Sequence, residues 1–218
     1  MKLVIFDCDG VLVDSERLSH QVLVDMLAEL GVVLGFDDAV EHFIGASLPV
    51  GMARIHQLLG GPPPDDFLPD MGRRTRAAFR TGLTVVPGIV ELLDALQRPF
   101  CVASNGNHAK VNFTLGHTGL LPRFAGRIFT AEDVVHPKPA PDLFLHAARA
   151  MGAAPRHTTV VEDTPTGISA AKAAGMRAIG YAAMTPAARL HAAGADAVVL
   201  TMAEVQALLA ADPGAGAP

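Results

Sequence analysis

The stretch that most constrains this chain is residues 3–10, LVIFDCDG. Leu3 to Phe6 form an unbroken apolar run, which suits a short strand covered on both faces. The run leads straight into Asp7, Asp9 and Gly10. Carboxylates at the end of a buried strand are costly unless a cation or hydrogen bonds offset them. Open α/β sheets bind their ligands outside the carboxyl ends of their strands. The opening residues therefore ask for a parallel sheet with a cation held at that edge.

The rest of the sequence supplies such a sheet. Strand-like runs follow at PFCVAS (99–104), GRIFT (126–130), TTVVE (158–162), MRAIGY (176–181) and DAVVL (196–200). Helix-length segments lie between most of them, at 88–97, 107–118, 140–151, 166–174 and 186–193. Alternation of this kind predicts an α/β fold, a doubly wound parallel sheet with helices on both faces. Residues 15–83 break the alternation with helical patterns only: RLSHQVLVDMLAELG, DDAVEHFIG, VGMARIHQLLG and MGRRTRAAFR, with GPPPDDF as a turn. The expected organisation is an α/β core made of residues 1–14 and 84–218, carrying an inserted all-helical cap over 15–83. The tail ADPGAGAP is expected to fray.

Composition narrows the class of partner. A formal net charge of -5 argues against general affinity for nucleic acid, which needs a basic face. No apolar stretch reaches the ~18 residues of a membrane span. Cys8 and Cys101 sit in apolar runs without a C-x-x-C pattern, as buried reduced thiols do. The N-terminal residues lack a charged segment followed by a cleavage site, so a reducing cytoplasm is the expected setting. A monomer is the default expectation.

Chemistry gathers at the ends of the predicted strands. The first ends in Asp7-Cys8-Asp9-Gly10, the next in Ser104-Asn105-Gly106, and a later one in Glu162-Asp163-Thr164. Lys138 stands between prolines in the loop HPKPAPDLF. Hard oxygen donors with no zinc-like histidine spacing suit Mg²⁺. A hydroxyl, an amide and a lysine suit a phosphate group. A carboxylate facing phosphorus can act as a nucleophile and form an aspartyl phosphate. Plainer readings exist for each. Asp-x-Asp-Gly can be a turn, or a calcium loop, although such a loop has its Gly sixth and a Glu twelfth between two helices. Ser104 and Thr164 can be helix caps, and an isolated lysine is usually solvated.

Asp7-x-Asp9-Gly10-Val11-Leu12-Val13-Asp14-Ser15-Glu16, Ser104-Asn105, Lys138 and Glu162-Asp163 resemble, in order, the four signature motifs of the haloacid dehalogenase-like hydrolase superfamily. The likeness is to the branch with a helical cap after the first motif, which includes sugar-phosphate phosphatases, phosphoglycolate phosphatase and β-phosphoglucomutase. The resemblance implies roles. Asp7 is the nucleophile and a metal ligand. Asp9 is the general acid and then base, its backbone carbonyl also reaching the metal. Ser104 binds a phosphoryl oxygen with Asn105 nearby, and Lys138 offsets charge between nucleophile and phosphate. Glu162 and Asp163 complete the Mg²⁺ site. Gly45-Ala46-Ser47 falls where the family's cap carries a specificity loop, making Gly45 and Ser47 substrate candidates. His20, on the first cap helix, is another. Arg73, Arg74, Arg76 and Arg80 could grip an acidic substrate or form a solvated face.

The function so implied is a Mg²⁺-dependent phosphatase acting on a small sugar phosphate or sugar-acid phosphate. A phosphomutase is the alternative, weakened because Leu48 stands where similar mutases usually carry Arg. Phosphoglycolate phosphatase and 2-haloacid dehalogenase stand further off; the dehalogenases lack the second Asp and need no metal. A catalytically silent scaffold would leave this many buried charges without a purpose.

Overall fold

The computed structural model describes residues 2–46 and 48–211. The chain groups into two compact units, Met1–Val13 with Val85–Pro218, and Asp14–Thr84. No helix among the described residues is long and apolar enough to cross a membrane.

The first unit is built on a six-stranded sheet: β1 (Leu3–Phe6), β2 (Phe100–Ser104), β3 (Ile128–Thr130), β4 (Thr158–Glu162), β5 (Arg177–Tyr181) and β6 (Ala197–Val199). Every pairing is parallel, in the order β3-β2-β1-β4-β5-β6. The sheet is the predicted doubly wound one. Of its two central strands, β1 carries no polar residue, Leu3 to Phe6, all four buried. Leu3 and Ile5 face a layer that includes Leu143, Phe144, Ala147, Ile168 and Ala171, while the alternate residues Val4 and Phe6 are equally buried. A strand covered on both faces has no reason to alternate, which is why the apolar run was legible as a strand. The register sets Phe6 beside Val102 of β2 and Val161 of β4. The chain continues to one side of β1 through β2 and β3 and returns on the other through β4, so the end of β1 lies at the switch point of the sheet.

Helices α5 (Ile89–Ala95), α6 (His108–His117), α7 (Asp142–Ala150), α8 (Pro165–Ala173), α9 (Ala187–Ala192) and α10 (Met202–Ala210) complete this unit. The last was not anticipated, although its start carries a capping box: Thr201 Oγ1 accepts from Glu204 N at 3.2 Å and Glu204 Oε2 accepts from Thr201 N at 2.9 Å. The tail expected to fray falls, beyond Ala211, outside the described residues. Cys8 and Cys101 are free and buried.

The second unit is helical: α1 (Ser15–Glu29), α2 (Phe36–Phe43), α3 (Leu48–Leu59) and α4 (Phe67–Gly82). Leu23, Met26 and Leu27, at helical spacing on α1, pack with Ile55 and Phe67. α4 begins four residues before the expected MGRRTRAAFR pattern, because Phe67 turns into the core instead of closing the Pro-rich turn. Arg73 pairs with Asp70, and Arg74 joins Asp70 at 3.0 Å and Glu29 at 2.8 Å. Arg74 ties α4 to α1 through Glu29, while the Arg73 pair stays within α4.

Candidate active site

The turn after β1 is closed by its own backbone. Leu12 N and Val13 N donate to Cys8 O at 2.9 and 3.1 Å, and Gly10 N donates to Val13 O at 2.9 Å. Gly10 has φ +74°, a conformation that costs glycine little. It is also required sterically, since a Cβ there would lie 2.1 Å from Asp163 Oδ2. The absent side chain makes room for the Asp163 carboxylate against the Asp7–Gly10 turn.

Lys138 sits at the middle of the site, its side chain 3% exposed. Its ammonium donates to Asp7 Oδ1 at 2.6 Å, Glu162 Oε1 at 2.7 Å and Ala103 O at 2.8 Å. That engages all three of its N–H donors. The Phe144 ring centroid lies 4.7 Å beneath it. Asn105 clamps the lysine's main chain from both ends of its amide: Oδ1 accepts from Lys138 N at 3.0 Å and Nδ2 donates to Lys138 O at 2.9 Å. Asn105, expected as a phosphate neighbour, holds the lysine loop. Ser104, buried at the end of β2, accepts from Gly106 N at 3.0 Å through Oγ.

Glu162, expected as a metal ligand, is held within the protein. Oε1 is taken by Lys138, and Oε2 accepts from Thr164 N at 3.0 Å and Thr164 Oγ1 at 2.8 Å. Both of its oxygens are engaged within the protein. Gly167 allows this: a Cβ there would lie 1.9 Å from Glu162 Cδ. Asp9 is paired too, with Lys110 Nζ 2.7 Å from Oδ2. Lys110 and Gly167 were not singled out in the sequence. Their signals were faint: a cation in the first turn of α6, and a glycine inside α8 where alanine is preferred.

Electrostatics follow from the burial. Burial pushes the Asp7 carboxyl up to about 7 against the pull of Lys138, and Glu162 and Asp9 push the same way. Burial works against the Lys138 charge, but Asp7 and Glu162 outweigh it and hold the lysine well above its ordinary range. Asp7, Asp9, Glu162 and Asp163 face two ammonium groups, Lys110 and Lys138, an excess of two negative charges when all are ionised. A divalent cation would match that excess. Among the described residues, no three His, Cys, Asp or Glu side chains are grouped so as to hold a metal ion by themselves. Mg²⁺ asks for less, taking one or two carboxylates and filling its octahedron with waters and substrate oxygens. An all-oxygen donor set with Asp163 seated over Gly10 fits it.

The remaining candidates lie in the helical unit. His20 is buried, its Nδ1–H donating to Glu16 O at 2.8 Å, and burial holds its pKa below the ordinary histidine range. It lines a cavity of about 170 Å³ walled by Leu23, Phe43, Met52, Ile55 and Met71. Gly45 follows α2 with φ +66°. Ser47 lies outside the described residues.

A family model for haloacid dehalogenase-like hydrolases matches residues 1–175. The chain belongs to that family. This hydrolase is 31% identical over 185 residues to a 6-phosphogluconate phosphatase of Escherichia coli, covering 84% of the chain and 83% of the relative. A fructose-1-phosphate phosphatase of the same organism is 28% identical over 178 residues, with 81% and 94% covered. The crystal structure of a haloacid dehalogenase-like protein of unknown function from Agrobacterium tumefaciens superimposes with TM-score 0.91 at 34% identity, over 97% of this chain and 98% of that one. The hydrolase is accordingly an enzyme of the phosphoric monoester class.

Proposed function

We propose that this hydrolase is a Mg²⁺-dependent phosphatase of a small sugar phosphate or sugar-acid phosphate, working through an aspartyl phosphate on Asp7. The observation that carries the reading is the buried Lys138 ammonium bridging Asp7 and Glu162 at the sheet's switch point. A lysine so placed keeps its charge and lies beside the atom that would attack phosphorus. Two relatives named for small sugar phosphates support the substrate class.

Asp7 attacks phosphorus with a carboxylate oxygen, and the bond from phosphorus to the leaving oxygen breaks. Asp9 gives its proton to that oxygen, and the alcohol departs. Water then attacks the aspartyl phosphate while Asp9 takes a proton from it. The phosphorus–Asp7 bond breaks, releasing inorganic phosphate and restoring the Asp7 carboxylate and the protonated Asp9. Lys138 stabilises negative charge on the phosphoryl group in both halves. Ser104 Oγ accepts from Gly106 N, which leaves its hydroxyl hydrogen for a phosphoryl oxygen. Asn105 keeps Lys138 in register, and Glu162 orients its ammonium. Asp7, Asp163 and the Asp9 main-chain carbonyl would hold Mg²⁺. When bound, the ion supplies positive charge that keeps Asp7 ionised and offsets the phosphate.

Phosphate release from a panel of sugar phosphates, sugar-acid phosphates, phosphoglycolate and nucleotides, with Mg²⁺ and with chelator, tests this. Turnover concentrated on sugar or sugar-acid phosphates and abolished by chelator is expected. Isomerisation of a sugar phosphate without release, or equal rates in chelator, would overturn it.

A further inference from the structure

We propose that Lys110 is a positioning residue for Asp9, its ammonium donating to Asp9 Oδ2 and so orienting the carboxyl group, as acid and as base, through a contact that the Lys138 cluster cannot supply. The proposal rests on the acid–base role of Asp9 given above.

Lys138 has already committed its three donors to Asp7, Glu162 and Ala103 O, so the second aspartate of the Asp-x-Asp pair is served by a different lysine. The Lys110–Asp9 contact, at 2.7 Å, joins residues 101 positions apart. The lysine is set in place from its backbone outward. Asn107 caps α6, its Oδ1 accepting from Lys110 N at 2.8 Å, which puts Lys110 in the first turn. Its stem crosses Gly106, where a Cβ would lie 3.3 Å from Lys110 Cδ and 3.3 Å from Ser104 Oγ. Glycine at 106 thus lets the lysine pass beside the serine expected to bind phosphate.

The position also runs against local preference. A cation near a helix N-terminus opposes the helix dipole, and α6 has no acidic residue of its own in that turn, its first N–H being served from outside by Glu132 Oε2 at 2.8 Å. Local rules are broken in this way mainly where function compensates. Lys110 keeps 42% of its side chain exposed while Asp9 keeps 16%. The ammonium is therefore anchored at one end and wet at the other, as suits a group that steadies a carboxylate without burying it.

The test is a cycle of Lys110→Met, Asp9→Asn and the double variant, with Lys110→Arg as the conservative replacement. Each is assayed for kcat and KM on p-nitrophenyl phosphate and on an alkyl sugar phosphate from the panel, and for its thermal midpoint. Lys110→Met is expected to lower kcat about tenfold on the alkyl phosphate, a part of the ~10²-fold or more that general acid–base catalysis contributes. KM should hold, the loss should be smaller on the activated ester, and Lys110→Arg should recover most of the rate. In the Asp9→Asn background Lys110→Met should cost nothing further, because a residue acting through another is silent once that other is gone. An equal loss in both backgrounds, with or without a lowered midpoint, overturns the proposal, as does a change confined to KM or an unaltered kcat. Full activity of Asp9→Asn on the alkyl phosphate would instead overturn the acid–base role itself.

Discussion

Single residues decide how close the carboxylates of this site can come to their partners. Gly167 shows it most plainly, because the Glu162 carboxylate occupies the volume that a Cβ at 167 would need. Gly167→Ala ought to favour helix α8 by about 1 kcal/mol on propensity alone. Its methyl group must nevertheless displace a carboxylate that is 1% exposed and bound to Lys138 and Thr164. We expect a loss of kcat of about tenfold or more, in line with losing one preorganised electrostatic partner. Steady-state kinetics on the purified variant measures it, and an unchanged kcat would mean that Glu162 does not matter to Lys138. At this scale the sequence was partly legible. Asp7, Asp9, Lys138 and Asp163 stand out because charge at the end of an apolar strand needs a reason. Lys110 and Gly167 do not, because what marks them is a contact rather than a composition. Asn105 and Glu162 were visible as polar residues, but which partners they hold could not be read from one dimension.

Elements in the first unit are tied edge to edge by a few polar contacts. Asp196, just before β6, accepts from Lys172 of α8 at 2.7 and 2.8 Å and from Ala178 N of β5 at 2.7 Å. Burial raises its pKa, but Lys172 and the Ala178 amide overcome that and hold it below the ordinary aspartate value. A carboxyl depressed in the folded state adds stability above its unfolded pKa of about 3.9, and that stability is lost as pH falls through the folded value. Asp196→Asn is therefore expected to lower stability at neutral pH by up to about 1 kcal/mol, the range for a half-exposed pair. The difference from the native protein should close in acid below about pH 4. Urea unfolding at both pH values reads it, and a gap that persists in acid would contradict the ion-pair account. Strand positions were read well, β4 to the residue, because buried parallel strands are continuous apolar runs bounded by breakers. α10 was missed because its capping box directly follows a strand and a single short helix adds little periodicity.

At the scale of the whole chain, the sheet is what turns four separated motifs into one site. Each lies at or just beyond the carboxyl end of a strand or in the loop carrying Lys138, so parallel pairing alone brings them to one edge. That logic is topological, which is why the architecture and most of the charged set were legible before any coordinate. The helical unit offers no such rule. Its four helices could be counted, but the surroundings of His20 and the pairing of Arg74 with Glu29 depend on packing. The central claim, that Asp7 carries the phosphoryl group, can be tested directly. The hydrolase would be mixed with Mg²⁺ and its best substrate, quenched in acid within milliseconds, and its peptides analysed by mass. The account predicts one phosphoryl group on the peptide containing Asp7, labile to hydroxylamine and absent from Asp7→Asn, which should release no phosphate. Phosphate release by Asp7→Asn at a rate near that of the native enzyme, with no phosphoryl group on that peptide, would contradict it.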